Sequence, residues 1–195
     1  MTSITSEGTT PGLINRFAAF ILRKLGWKIV LNRPPSPNFV VIAAPHTSLI
    51  DVLLTGLYLL AINGRCHWPG PSLLFGKPFR RVVASHGEYT MEIAEGRGHT
   101  NRLVNKLRTE ENFHLMLVPE GTFFYVPRWH SGFYHIAREA NVPLVLAFTD
   151  YRRREIGLGD WFYPGADKDA VIARLQDFYA DKTPLFPSRA GPIRF

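Results

Sequence analysis

The stretch FVVIAAPHTSLIDVLL, residues 39–54, changes character at its middle. Residues 39–44 form a short continuous apolar run of β-branched character, the pattern of a strand buried on both faces. Pro45 ends the run. From 48 to 62 the pattern is helical and strongly apolar, and Ser48, Asp51 and Thr55 fall on one stripe at spacings of three and four. A buried strand passing into a helix across a few residues is the repeating unit of an α/β domain.

The same alternation continues outward from this unit. "NRPPSPN" (32–38) is turn-rich, and "LLF" (73–75) and "RVVA" (81–84) read as short strands. "TNRLVNKLRTE" (100–110) is an amphipathic helix and "FHLMLVP" (113–119) a buried strand. "SGFYHIAREA" (131–140) gathers Phe133, Ile136, Ala137 and Ala140 on one helical face, "VPLVLAFTD" (142–150) returns to strand, and 167–182 closes as an amphipathic helix. The expected fold is α/β, one domain with a largely parallel or mixed central sheet flanked by helices. Residues 1–12 are expected to be a flexible N-terminus, and 13–195 the folded domain, opening with an amphipathic helix over 13–26.

In that first helix Leu13, Phe17, Phe20, Ile21, Leu22 and Leu25 cover most of the circumference, leaving a small or polar stripe at Gly12, Asn15, Arg16, Ala19 and Arg23. With Lys24, Trp27 and Lys28 beside it, the helix reads either as an interfacial one, with cations at headgroups and aromatics at the boundary, or as one packing on its own domain. Its apolar core around "FAAFIL" reaches only about ten residues, half of the roughly 20 needed to span a bilayer. Its charges follow the apolar segment, which is not the order of a secretory signal.

Lys and Arg number 23 against 16 Asp and Glu, a net charge of +7 and a pI near 9.8. Basic chains meet nucleic acid, anionic lipid or phosphorylated small molecules. No zinc-finger spacing, ribonucleoprotein motif or basic zipper is present, so nucleic acid is not an expected partner. The single cysteine, Cys66, excludes an intramolecular disulfide and a CxxC knuckle, in keeping with a reducing cytoplasm. No metal is expected.

His46 stands where the buried strand meets the helix, a junction at which open α/β sheets place their ligands. Asp51 lies just over one turn into that helix. If the chain bends at Pro45, the imidazole folds back toward Asp51; the carboxylate then holds one ring nitrogen protonated and leaves the other as a general base. Ser48 suits the hydrogen-bonding role of a helix start. A second strand ends in the same style at "LVPEGTFF" (117–124), with Glu120, Gly121 and Thr122 following a proline, so the two ends could border one cleft.

Together, the histidine and aspartate separated by four residues, the Glu-Gly-Thr at 120–122 and the apolar strand over 142–148 resemble the glycerophospholipid acyltransferase family. Its bacterial members, of the 1-acylglycerol-3-phosphate acyltransferase type, make phosphatidic acid from lysophosphatidic acid. The similarity runs from about residue 13 to 182. It implies acyl transfer from a thioester, acyl-CoA or acyl carrier protein, to the hydroxyl of a lysophospholipid, in phospholipid biosynthesis. His46 would be the base and Asp51 its support; Glu120, Gly121, Thr122 and Arg128 would shape the acceptor site, and backbone amides at the helix start would stabilise the oxyanion. A thioester is already activated, so neither a cofactor nor a covalent enzyme intermediate is implied. A peripheral place on the cytoplasmic face of the cell membrane, against its lipid surface, follows from the same resemblance.

Three positions depart from the family pattern. Phe123 occupies the place of the arginine that commonly follows Glu-Gly-Thr, His130 stands where a lysine usually precedes the residue before Gly132, and Glu92 falls near an expected arginine, with Arg97 further on. A phosphate dianion in a dry cleft wants a fixed cation. Arg80, Arg81, Arg97 and Arg128 are the substitutes that the sequence offers. An acyltransferase for a non-phosphorylated acceptor, a thioesterase, and a lipid-binding protein without turnover therefore stay open beside the leading expectation.

Overall fold

The computed structural model describes residues 12–69, 90–91 and 97–195. The strands expected over 73–75 and 81–84, the N-terminal residues 1–11, and Arg80, Arg81 and Glu92 lie outside the described residues, as does the side chain of Arg97.

Strand β2, Phe39–Ala43, is buried along its whole length inside a five-stranded sheet, next to one of its edge strands. It pairs in parallel with β5 (His114–Leu117) on one side and with β6 (Leu144–Asp150) on the other. Strand β6 pairs antiparallel with β7 (Glu155–Phe162), which pairs in parallel with the edge strand β1 (Lys28–Leu31). The sheet is therefore mixed, in the order β1-β7-β6-β2-β5. A two-residue pair, β3 (Trp68–Pro69) with β4 (Thr90–Met91), adjoins it through a bridge from His67 to Leu115.

The alternation of β2 sends Val40 and Ile42 to one face of the sheet and Phe39, Val41 and Ala43 to the other. On the first face they pack with α3 (Arg97–Thr109), α4 (Gly132–Ala140) and α5 (Lys168–Tyr179) through Leu107, Phe133, Ala137 and Leu175. The second face is covered by α1 (Leu13–Lys24) and α2 (Leu49–Ala61), through Leu22, Leu54 and Tyr58. An α/β domain with helices on both faces is what the sequence pattern implied.

Helix α1 is turned opposite to an ordinary surface helix. Its small and polar residues Asn15, Ala18 and Ala19 are buried with Leu22, and Asn15 Nδ2 donates to the Leu60 carbonyl at 2.8 Å. Its large apolar side chains face outward, with Leu13 84% and Phe17 63% exposed and Ile14, Phe20 and Leu25 about half so. Leu49, Ile50 and Leu53 at the start of α2 are also exposed. No helix of the described residues is long and apolar enough to cross a membrane.

Candidate active site

The end of β2 and the start of α2 are joined by Ala44, Pro45, His46, Thr47 and Ser48, with a cis peptide bond between Ala44 and Pro45. Ser48 caps α2: its Oγ accepts from the Ile50 amide at 3.1 Å. Asp51, three residues on, returns the favour. Its Oδ2 accepts from the amides of Ser48 (2.8 Å) and Thr47 (2.7 Å), the reciprocal arrangement of a capping box extended by one residue.

The second oxygen of Asp51 is taken by the hydroxyl of Tyr151, which donates to Oδ1. Neither ring nitrogen of His46 is hydrogen-bonded to Asp51 or to any other described residue. The expected imidazole–carboxylate hydrogen bond is thus replaced by a carboxylate that fixes the loop carrying the imidazole. Backbone amides win because a carboxylate at the third helical position lies within direct reach of the cap amides. Asp51 still acts on His46 through its charge. Burial pushes the imidazole below its ordinary value, and the negative charge of Asp51 opposes that shift.

Glu120 comes to the same place from the end of β5. Its Oε2 accepts from the backbone amide of His46 at 2.7 Å, bridging the two strand ends across 74 residues. Burial, partly offset by the His46 amide, pushes its carboxyl up to about 7, and the charge of Asp51 adds to the rise. The next residue, Gly121, has φ of 66°, and its missing side chain leaves room for the ring of His130, 3.2 Å from where a Cβ would stand. Thr122 Oγ1 accepts from the Phe124 amide at 3.4 Å.

Phe123 stacks on His46, with ring centroids 5.7 Å apart and planes inclined by 23°. An aromatic face therefore lies over the imidazole. Arg128 is exposed and makes no side-chain hydrogen bond or ion pair among the described residues, so nothing ties it to the cluster of His46, Asp51 and Glu120.

An apolar cavity of about 50 Å³ runs between α2 and the sheet. Pro45 and His46 line one end, Val41, Ala43, Tyr58 and Leu59 its walls, and Arg33, Arg65 and His114 the other end. The amides around His46 are mostly engaged: those of His46, Thr47, Ser48, Ile50 and Asp51 all donate within the loop or to Glu120. Among the described residues, Leu49 carries the one amide of this stretch without an acceptor.

Two contributors were invisible to sequence reasoning. Tyr151 follows the last residue of β6, and a polar residue at the C-terminal end of a sheet strand is the signal that could have marked it. Arg189, whose Nη1 donates to the Thr47 carbonyl at 3.0 Å, lies in a Pro- and Gly-rich segment without periodicity. No family model matches the sequence. No curated protein matches it either.

Proposed function

We propose that the protein is an O-acyltransferase, moving a fatty acyl group from acyl-CoA or acyl carrier protein to the hydroxyl of a lysophospholipid at a membrane surface. The observation that carries this reading is His46, 8% exposed, at one end of an apolar cavity with the carboxylates of Asp51 and Glu120 fixing the loop behind it. A ring nitrogen without a hydrogen-bonding partner is free to take a proton.

In this mechanism His46 removes the acceptor's hydroxyl proton as the oxygen attacks the thioester carbonyl. The charge of Asp51 steadies the imidazolium that forms. The amide of Leu49, without an acceptor at the start of α2, would donate to the developing oxyanion. Collapse of the tetrahedral intermediate breaks the C–S bond, and the departing thiolate takes the proton back from His46. The apolar lining of the cavity matches an acyl chain in chemistry, and its volume of about 50 Å³ gives room for only the first carbons beside a thioester at the His46 end. The outward apolar face of α1, continued by Leu49, Ile50 and Leu53, suits a peripheral position on lipid, which on the cytoplasmic face would also use the net charge of +7.

A second reading, transfer to a non-phosphorylated acceptor or to water, is favoured by Phe123 standing over His46 in place of a cation. One assay separates them. Purified protein is incubated with labelled acyl-CoA and a mixed lysolipid extract, and the labelled product is identified by mass. A labelled phospholipid with wild-type protein, absent with His46→Ala, is the expected result. Labelled free acid alone supports hydrolysis, and undiminished transfer by His46→Ala removes His46 from the mechanism.

A further inference from the structure

The C-terminal residues 183–195 are hydrogen-bonded to both loops of the site. Toward the His46 loop, the Phe186 amide donates to Thr47 Oγ1 at 3.3 Å, and Arg189 Nη1 donates to the Thr47 carbonyl at 3.0 Å. Toward the loop after Glu120, the Trp129 amide donates to the Arg194 carbonyl at 2.9 Å, and Arg194 Nε donates to the Pro127 carbonyl at 2.8 Å. Gly191 lies so close to this loop that a Cβ there would come within 1.9 Å of the Val126 carbonyl oxygen.

This strap sets one cation on the loop that carries His46. The Arg189 guanidinium lies 4.4 Å from the ring centroid of Phe186 and 5.2 Å from that of Phe124, held against two aromatic faces. It bonds to the carbonyl of Thr47, the residue next to His46. A guanidinium has five N–H donors, and this one spends a single hydrogen bond within the described residues and pairs with none of their carboxylates. It is half-buried, so its field is screened less than that of a surface arginine. Phe123 removes a cation from the loop after Glu120; Arg189 supplies one from the opposite end of the sequence.

We propose that Arg189 is the anion-binding residue of this site and holds the phosphate of an acceptor alcohol whose hydroxyl reaches His46. This rests on the acyl-transfer reading above. The phosphates of coenzyme A lie at the far end of the pantetheine arm from its thioester, whereas the phosphate of a phosphorylated diol lies a few bonds from its free hydroxyl. A cation one residue from the base therefore suits the acceptor rather than the donor.

The test compares two acceptors that differ only in the phosphate, a lysophosphatidate and the matching monoacylglycerol, carried at low density in phosphatidylcholine vesicles. Wild-type protein, Arg189→Ala, Arg189→Lys and Arg152→Ala are assayed for kcat/KM on each, and vesicle binding is measured separately. Arg152 is exposed and controls for the loss of one positive charge elsewhere. The expected result is that Arg189→Ala lowers the ratio of phosphorylated to neutral acceptor at least about tenfold, the low end of a charge-assisted hydrogen bond. Arg189→Lys falls between, and Arg152→Ala keeps the wild-type ratio. An unchanged ratio in Arg189→Ala, or an equal fall in Arg152→Ala, overturns the proposal while leaving acyl transfer standing. If wild-type protein acylates neither acceptor, the acyl-transfer reading fails, and binding alone decides Arg189: preferential retention on lysophosphatidate vesicles, lost in Arg189→Ala, supports the anion site, and no preference overturns it.

Discussion

The hydroxyl of Tyr151 donates to Oδ1 of Asp51 across 100 residues of sequence, and the tyrosine ring meets Trp27 edge-to-face at 5.2 Å. The carboxylate behind His46 is thus held from two sides, by the amides of its own loop and by a residue just past the end of β6. Losing one hydrogen bond to a charged group costs about 1.5–3 kcal/mol. Tyr151→Phe should therefore lower kcat about tenfold or more, with KM little changed because the tyrosine touches the carboxylate rather than the substrate. Steady-state kinetics check this, and an unchanged kcat would show that Asp51 does not need the bond.

Burial dominates the titration of His46 and lowers its pKa, so the neutral, proton-accepting form persists further into acid than for a free imidazole. The acid limb of kcat/KM should fall below the ordinary value of about 6.5. Asp51→Asn removes the charge that opposes the shift and should move the limb lower still, besides reducing kcat. A pH–rate profile decides it, and a limb moving upward in Asp51→Asn would contradict the sign.

Glu120 has its carboxyl raised to about 7 in the folded chain from an ordinary 4.5. A group whose folded pKa is raised stabilises the fold fully below its unfolded value, and that contribution is lost as pH rises through the folded one. Wild-type protein should accordingly lose up to about 3 kcal/mol from this residue between pH 4.5 and pH 7–8. Glu120→Gln keeps an oxygen for the His46 amide and does not ionise. Its unfolding free energy relative to wild type should grow over that window, as followed by urea denaturation; a difference that ignores pH would contradict the buried carboxyl.

The two faces of α1 should answer differently to substitution. Phe17 and Phe20 are at least half exposed, so replacing both by Ser should leave the melting temperature nearly unchanged. Removing that apolar area from a lipid interface should weaken binding to anionic vesicles by about 3 kcal/mol, roughly a hundredfold. Ala18 packs in the core shared with α2, where Ala18→Leu should destabilise by about 1–3 kcal/mol through overpacking. Vesicle sedimentation and thermal melting together check the contrast, and equal effects on both would mean that the faces are wrongly assigned.

The parts of this fold that were legible in the sequence are those where one physical signal acts alone. Strand β2 is a pure apolar run because helices cover both of its faces, and α2 announces itself by a serine cap and a three-four stripe. Strand β7 was missed because Gly157, Gly159 and Asp160 interrupt its apolar pattern. Gly157 is there for space: a Cβ would meet the Val30 carbonyl oxygen of β1 at 1.9 Å. His46 and Glu120 could be singled out because each lies just beyond a strand end, and Asp51 because it stands in the first turn of the helix that follows His46. Their connectivity could not, since Asp51 had the choice of a ring or two amides, and only three-dimensional proximity shows that the amides hold it. Tyr151 and Arg189 approach the loop from 100 and 142 residues away, a distance that no spacing rule covers. In α1 the two faces were recognised, but the seam of small residues, rather than the greasy face, is the one that packs against α2.

That seam has a mechanical outcome. Asn15, Ala18 and Ala19 lock the first helix onto the second, and the second begins at the loop that holds the imidazole. In the proposed position on lipid, with the outer phenylalanines in an oil-like boundary, the His46 ring would ride at a constant height above it, like a stylus on a rigid arm.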